Sequence, residues 1–396
     1  MTEAPRFAEL APPDRILMGP GPSDVHPRVL RAMSTPLIGH LDPAFLEIMD
    51  QVQALLRYTF RTEHEWTIPV SGTGSAAMEA AFANLVEPGD TVLVPTNGYF
   101  GLRMAEMVRR AGGDPVAVRA PWGRPLDLED VRSAVAEHGP DIVAFVHAET
   151  STGVLQPHVP ELVAIAHDAG ALVVADTVTS LGGVRLEVDA WGVDVAYSGG
   201  QKCLSCPPGA SPLTLGEAAM ARIRARAEPV RSWYLDLSLL EHYWGEDRSY
   251  HHTAPITNVY ALREALRLVA EEGIEARWAR HRRVAGALRA GLEAMGLIPH
   301  ADIKFWLPSL TTVRIPEGVD GKRVARRLLQ EREIEIAGGL GDLAGVVWRI
   351  GCMGHSARPA NVMALLAALG SVVAAEGGTV DAAAGLAAAA ERLGGS

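Results

Sequence analysis

Ala171-Leu172-Val173-Val174-Ala175-Asp176 is a nearly unbroken apolar run that ends in a carboxylate. Such a run reads as a strand buried on both faces, the habit of mostly parallel sheets covered by helices. Ligands of these sheets bind beyond the carboxyl ends of the strands. A carboxylate there is costly to bury unless something positive meets it; otherwise it serves as a helix cap or a structural acceptor. Outward from this run the pattern alternates. Strands are expected at Trp66–Val70, Thr91–Val94, Pro115–Val118, Asp141–His147 and Val193–Tyr197. Between them, helical spacing covers residues 45–60, 102–111, 126–138 and 160–169. Strand and helix in alternation predict an α/β chain.

The second informative stretch is Tyr197-Ser198-Gly199-Gly200-Gln201-Lys202. Lys plus Arg total 36, yet Lys stands only at 202, 304 and 322. The chain uses Arg for nearly every solvated positive charge, so Lys202 asks for a reason. A Lys delivered off a strand end by a glycine turn is either a surface group or one aimed into a pocket. A desolvated Lys can lose its proton and attack a carbonyl, which Arg cannot do.

At 396 residues the chain is long enough for two domains. The net charge of −11 leaves no basic footprint for nucleic acid. No apolar run approaches the roughly 20 residues that span a bilayer. The N-terminus lacks the apolar core of a signal peptide, and the C-terminus is not the Ser-Lys-Leu address. Cys occurs only at 203, 206 and 352, too few for a disulfide framework, so a cytoplasmic location is expected. Cys203-x-x-Cys206 has no second ligand pair, and small buried side chains are the favoured reading. His251 and His252 are adjacent in sequence and are expected to face different directions. No metal site is expected.

Two further stretches flank the strands. Ser71-Gly72-Thr73-Gly74-Ser75 lies between a strand and a helix start. Such a turn either closes a connection or holds an anion with helix N-terminal N–H groups and hydroxyls. Leu17-Met18-Gly19-Pro20-Gly21-Pro22-Ser23 is too rich in Gly and Pro for regular structure. It is a turn or a rigid wall of a site. A pocket Lys, a buried carboxylate and an anion turn together match one ligand. Pyridoxal phosphate offers an aldehyde to Lys, a ring nitrogen to an acid and a phosphate to the turn.

These residues carry a resemblance. The chain is similar to the class V, fold-type I pyridoxal-phosphate aminotransferases, most of all those of the alanine–glyoxylate and serine–glyoxylate type. The matching motifs are Gly19-Pro-Gly-Pro-Ser23, Ser71-Gly-Thr-Gly74, Glu149-Thr-Ser-Thr-Gly153, Ser180-Leu-Gly-Gly183, Ser198-Gly-Gly-Gln-Lys202, Pro207-Pro-Gly209, Tyr250-His-His-Thr253 and Arg349-Ile-Gly351. The resemblance implies a large domain with a mostly parallel seven-stranded sheet and a smaller C-terminal α/β domain. The expected borders are an arm over 1–16, the large domain over 17–274 and the small domain over 275–396. It implies that Lys202 carries the cofactor as a Schiff base and moves the substrate proton. Asp176 would bond the pyridine nitrogen. Thr73, Gly74, Ser75 and Gln201 would hold the phosphate, with Tyr250 and Thr253 reaching in from the partner of a homodimer. Phe100 would stack on the ring, and Ser151 would lie by its polar edge. Arg349 would clamp the substrate carboxylate.

The implied activity moves the amino group of alanine or serine to glyoxylate or another small 2-oxo acid. The animal members carry Trp where Phe100 stands and His where Ser75 stands, which bears on pocket shape. Two other readings share these residues. A cysteine desulfurase or β-lyase typically has His before the Lys and His over the ring, where this chain has Gln201 and Phe100. A non-catalytic cofactor-binding protein has no need of the set Lys202, Asp176 and Arg349.

Overall fold

A computed structural model describes residues 4–395. Residues 1–3 of the expected arm and Ser396 lie outside the described residues. The central sheet has seven strands, in the order Trp66–Gly72, Gly209–Leu215, Val195–Tyr197, Leu172–Asp176, Ile142–Val146, Thr91–Thr96 and Asp114–Arg119. All run parallel except Gly209–Leu215, which is antiparallel to both neighbours. Val173, Val174, Ile142, Val143 and Ala144 are fully buried, as their unbroken apolar runs require. Helices cover both faces of the sheet.

The strand Gly209–Leu215 is not foreseen from the sequence, because Pro212 sits at its centre. Pro is normally confined to sheet edges, since it cannot donate to a ladder. Here Pro212 lies opposite Pro69, and its carbonyl turns to the other side, accepting from Ser198 N at 2.8 Å. The missing N–H therefore takes no bond from the Trp66–Gly72 strand.

Helix ends follow local chemistry. Asp42 caps Pro43–Phe60 by accepting from Ala44 N at 2.8 Å, with Pro43 at the first turn. Asp127 does the same for Leu128–His138 through Glu129 N at 2.8 Å.

A second core gathers around Val284, Leu288, Trp348, Ile350 and Leu365. It lies against an antiparallel sheet in the order Leu310–Arg314, Val347–Gly351 and Ala337–Gly338. Ile16–Leu17 pairs in parallel with Ile334–Glu335, and Met18 is buried in this second core. That short strand straddles the border expected between arm and large domain. The Ala/Gly-rich tail forms the helix Ala382–Gly394 and packs on Ile274–Ala294. A side chain at Gly385 would come within 2.1 Å of Met295 Cγ, so small residues let the helices approach.

Candidate active site

Strand register assembles the site. Asp176 ends its strand directly beside Tyr197, the last residue of the next strand. Tyr197 Oη donates to Asp176 Oδ2 at 3.0 Å, and Val178 N donates to Oδ1 at 2.9 Å. Burial pushes the Asp176 carboxyl up to about 7; the Val178 N–H pulls it down, and the negative charge of Glu149 adds to the rise. A cationic ring nitrogen beside it would draw such a carboxyl back to its ionised form, and the ion pair would hold the ring proton on nitrogen.

Past Tyr197 the chain turns through Gly199 and Gly200 to Lys202. Ser23 Oγ donates to Lys202 O at 2.7 Å, and Ser23 N donates to Gln201 O at 2.9 Å. The Gly19–Ser23 stretch is thus a wall of the site. The Lys202 amine donates to the Pro20 carbonyl. A side chain at Gly21 would come within 2.7 Å of Lys202 Cδ. Desolvation lowers Lys202 to about 8, and the nearby Arg349 charge acts in the same direction.

Lys202 and Asp176 line one cavity of about 150 Å³ together with Phe100 and Gln201. Thr73, Gly74 and Ser75 line it too. Gly74 opens the helix Gly74–Leu85, and Thr73 before it makes no side-chain cap bond. The first N–H groups of that helix are therefore left for an anion. Gln201 Oε1 is buried without a partner among the described residues. A helix N-terminus, two hydroxyls, an aromatic wall, a desolvated amine and a buried carboxyl fit pyridoxal phosphate.

Four predicted residues do not line this cavity. Ser151 does not line the cavity; its hydroxyl donates to Glu149 Oε1 at 2.6 Å and accepts from Tyr99 N at 2.9 Å. Tyr250 and Thr253 are exposed on the surface and do not line the cavity. Arg349 is buried beside the site on the strand Val347–Gly351, its Nε donating to Gly338 O at 2.7 Å. Among the described residues it pairs with no carboxylate, and burial lowers it to about 10.

Three other residues, Tyr197, Arg103 and Glu149, lie at the site. Tyr197 and Arg103 escaped assignment, and Glu149 appeared only within a motif. Glu149 is buried and accepts from Ser151 N at 2.9 Å and Phe100 N at 3.2 Å. It thereby ties the first turn of the helix Tyr99–Ala111 to the sheet. Burial raises its carboxyl, against the pull of the Ser151 bonds. Gly98 approaches it so closely that a Cβ there would lie 2.3 Å from Glu149 Cγ. The backbone at Gly98 is extended, so space and not conformation excludes larger residues. Gly98→Ala is expected to cost about 1–3 kcal/mol, read as a lowered denaturant midpoint.

The cysteines are free and buried. Burial raises Cys203 to about 11 and Cys352 to about 12, and raises Cys206 as well. Neutral core thiols are poor nucleophiles. No group of metal-ligating side chains occurs among the described residues. The reading of His251 and His252 needs correction. They are not on a helix, and their Nδ1 atoms meet at 2.7 Å, with His252 Nε2 2.9 Å from Ser71 Oγ. A loop permits what alternation along a strand would prevent.

The class-V aminotransferase family model matches residues 19–347. The chain belongs to that family. This aminotransferase is 43% identical to the (S)-ureidoglycine–glyoxylate transaminase of Bacillus subtilis (strain 168), over 92% of each chain. It is 39% identical to the alanine–glyoxylate aminotransferase of Drosophila melanogaster, over 91% of this chain and 93% of that one. Its fold superposes on the crystal structure of an alanine–glyoxylate aminotransferase from Nostoc sp. with a TM-score of 0.91 and 54% identity, covering 93% and 97% of the two chains. The aminotransferase therefore has the fold-type I architecture and uses pyridoxal phosphate. Among the described residues, no helix is long and apolar enough to cross a membrane.

Proposed function

We propose that this enzyme transfers the amino group of alanine or serine to glyoxylate or another small 2-oxo acid. The observation that carries the reading is Arg349, a buried guanidinium close to Lys202 that makes no ion pair with a carboxylate among the described residues. Its Nε is anchored on Gly338 O, so the terminal nitrogens form a fixed fork for a substrate carboxylate. Glyoxylate is the acceptor in the names of the relatives above, while their donors differ between alanine and (S)-ureidoglycine.

Bound pyridoxal phosphate supplies the electron sink that makes the substrate Cα proton removable. Thr73, Gly74, Ser75 and Gln201 would hold its phosphate, Phe100 would cover its ring, and Asp176 would keep its ring nitrogen protonated. Lys202, whose burial favours the neutral amine, would take up at its nitrogen the proton that leaves the substrate carbon. Ser151 acts through Glu149 on the loop that sets Phe100. The enzyme works as a homodimer in the cytoplasm, with Tyr250 and Thr253 completing the partner's phosphate site. Their exposure here supports that reading.

The test follows the visible absorbance of the holoenzyme. L-alanine should bleach the cofactor band and glyoxylate should restore it, with L-serine and (S)-ureidoglycine ranking the donors. A band that answers neither alanine nor serine would sink the donor assignment. Arg349→Lys keeps the charge but loses the fork. We expect kcat/KM to fall on the order of 100-fold while cofactor uptake is unchanged.

A further inference from the structure

We propose that Arg103 is the cation of the phosphate cradle, a binding residue for the cofactor's phosphate. The inference rests on the reading of Thr73–Ser75 as that cradle.

Arg103 lies one turn after Phe100 on the helix Tyr99–Ala111. Its guanidinium centre is 4.8 Å from the centroid of the Phe100 ring, and its Nη1 donates to Ser75 Oγ at 3.2 Å. It lines the same cavity as Gly74, Gln201 and Lys202. Accepting from Arg103 leaves the Ser75 hydroxyl its own proton to donate toward an anion.

The charge balance argues the same way. Arg109 and Arg110 on this helix both pair with Glu106, at 2.7 and 2.8 Å. Arg103 pairs with no carboxylate among the described residues, although the chain carries 47 acidic side chains. A phosphate monoester carries about −1.5 to −2 charges at neutral pH. The helix N-terminus supplies roughly half a positive charge, and Thr73, Ser75 and Gln201 are neutral. Lys202 has its amine on the Pro20 carbonyl and is committed to the aldehyde rather than the phosphate. Within this chain's cradle Arg103 is the guanidinium left to meet the dianion, and its planar fork suits phosphate oxygens. The alternative role is a lid that only stacks on Phe100.

The two roles separate by ligand. Cofactor-free wild type, Arg103→Met and Arg103→Lys are titrated with pyridoxal phosphate and with pyridoxal, which keeps the ring and aldehyde but lacks the phosphate. Adduct formation is followed by absorbance, and folding by circular dichroism. Arg103→Met should weaken pyridoxal phosphate on the order of 10- to 100-fold and change pyridoxal by less than about twofold. Arg103→Lys should recover part of the loss. Inorganic phosphate should raise the melting temperature of the cofactor-free wild type more than that of Arg103→Met. Equal losses for both aldehydes, or no loss for either, would overturn the proposal. Should Arg103→Met not fold, Arg103→Lys decides alone: a loss for pyridoxal phosphate that pyridoxal does not share supports the role, and a shared loss or none refutes it. Failure of the wild type to form an adduct with either aldehyde would instead remove the cofactor assignment of Lys202, and this proposal with it.

Discussion

Lys202→Ala is expected to lower turnover by on the order of 10⁴-fold or more, because in the proposed reaction one side chain is both nucleophile and proton carrier. The argument turns on the free amine. Desolvation first, and the Arg349 charge second, bring it down to about 8. The neutral amine is the form that attacks an aldehyde, so covalent cofactor uptake by the cofactor-free enzyme should rise as pH increases through about 8 and then level. An amine at the usual value near 10.4 would be roughly a hundredfold less neutral at pH 8. Uptake that keeps climbing to pH 10 would contradict the assignment. Lys202→Arg sharpens the test. It retains a cation able to reach the Pro20 carbonyl, yet it cannot lose its proton. If position and charge were what Lys202 contributes, Lys202→Arg would retain measurable turnover; we expect it to be as inactive as Lys202→Ala.

The parts of this site that could be read from the chain are those where burial or scarcity leaves a mark. Asp176 stood out because it ends an apolar run, and Lys202 because Lys is almost absent. The glycines around Thr73 and Gly199 marked turns that no other residue makes as easily. What could not be read depends on register or on distant contact. In sequence Tyr197 reads as a strand end, and its bond to Asp176 follows from a strand pairing that sets the two side by side. Glu149 lies in a recognised motif, but its bond to Phe100 N joins residues far apart in the chain. Arg103 has one local signal, its place one turn after Phe100, which resembles any solvated helix face. Pro212 hid the strand Gly209–Leu215, because its tolerance depends on where its neighbours' N–H groups point.

Asp176→Asn is expected to lower kcat by on the order of 10²- to 10³-fold, the scale of losing one preorganised electrostatic group. The amide is nearly isosteric, so Val178 N keeps an acceptor. It cannot hold a positive ring nitrogen, and its other face must fit the Tyr197 hydroxyl, which now donates to a carboxylate oxygen. The same substitution has a consequence without cofactor. In the chain alone burial raises the Asp176 carboxyl to about 7, well above the usual value near 3.9 in an unfolded chain. The folded state then binds the proton more tightly than the unfolded state. That contribution to stability is fully present below about pH 4 and is lost as pH rises through about 7, with a slope approaching roughly 1.4 kcal/mol per pH unit. Cofactor-free wild type should therefore lose stability over that interval relative to Asp176→Asn, measured as denaturant midpoints at each pH. Supplying pyridoxal phosphate should flatten the wild-type slope, because the ionised carboxylate then faces a positive partner. Parallel pH profiles for the two cofactor-free proteins would mean that Asp176 is already compensated by its neighbours, and a carboxylate so compensated would have little left with which to hold a ring proton.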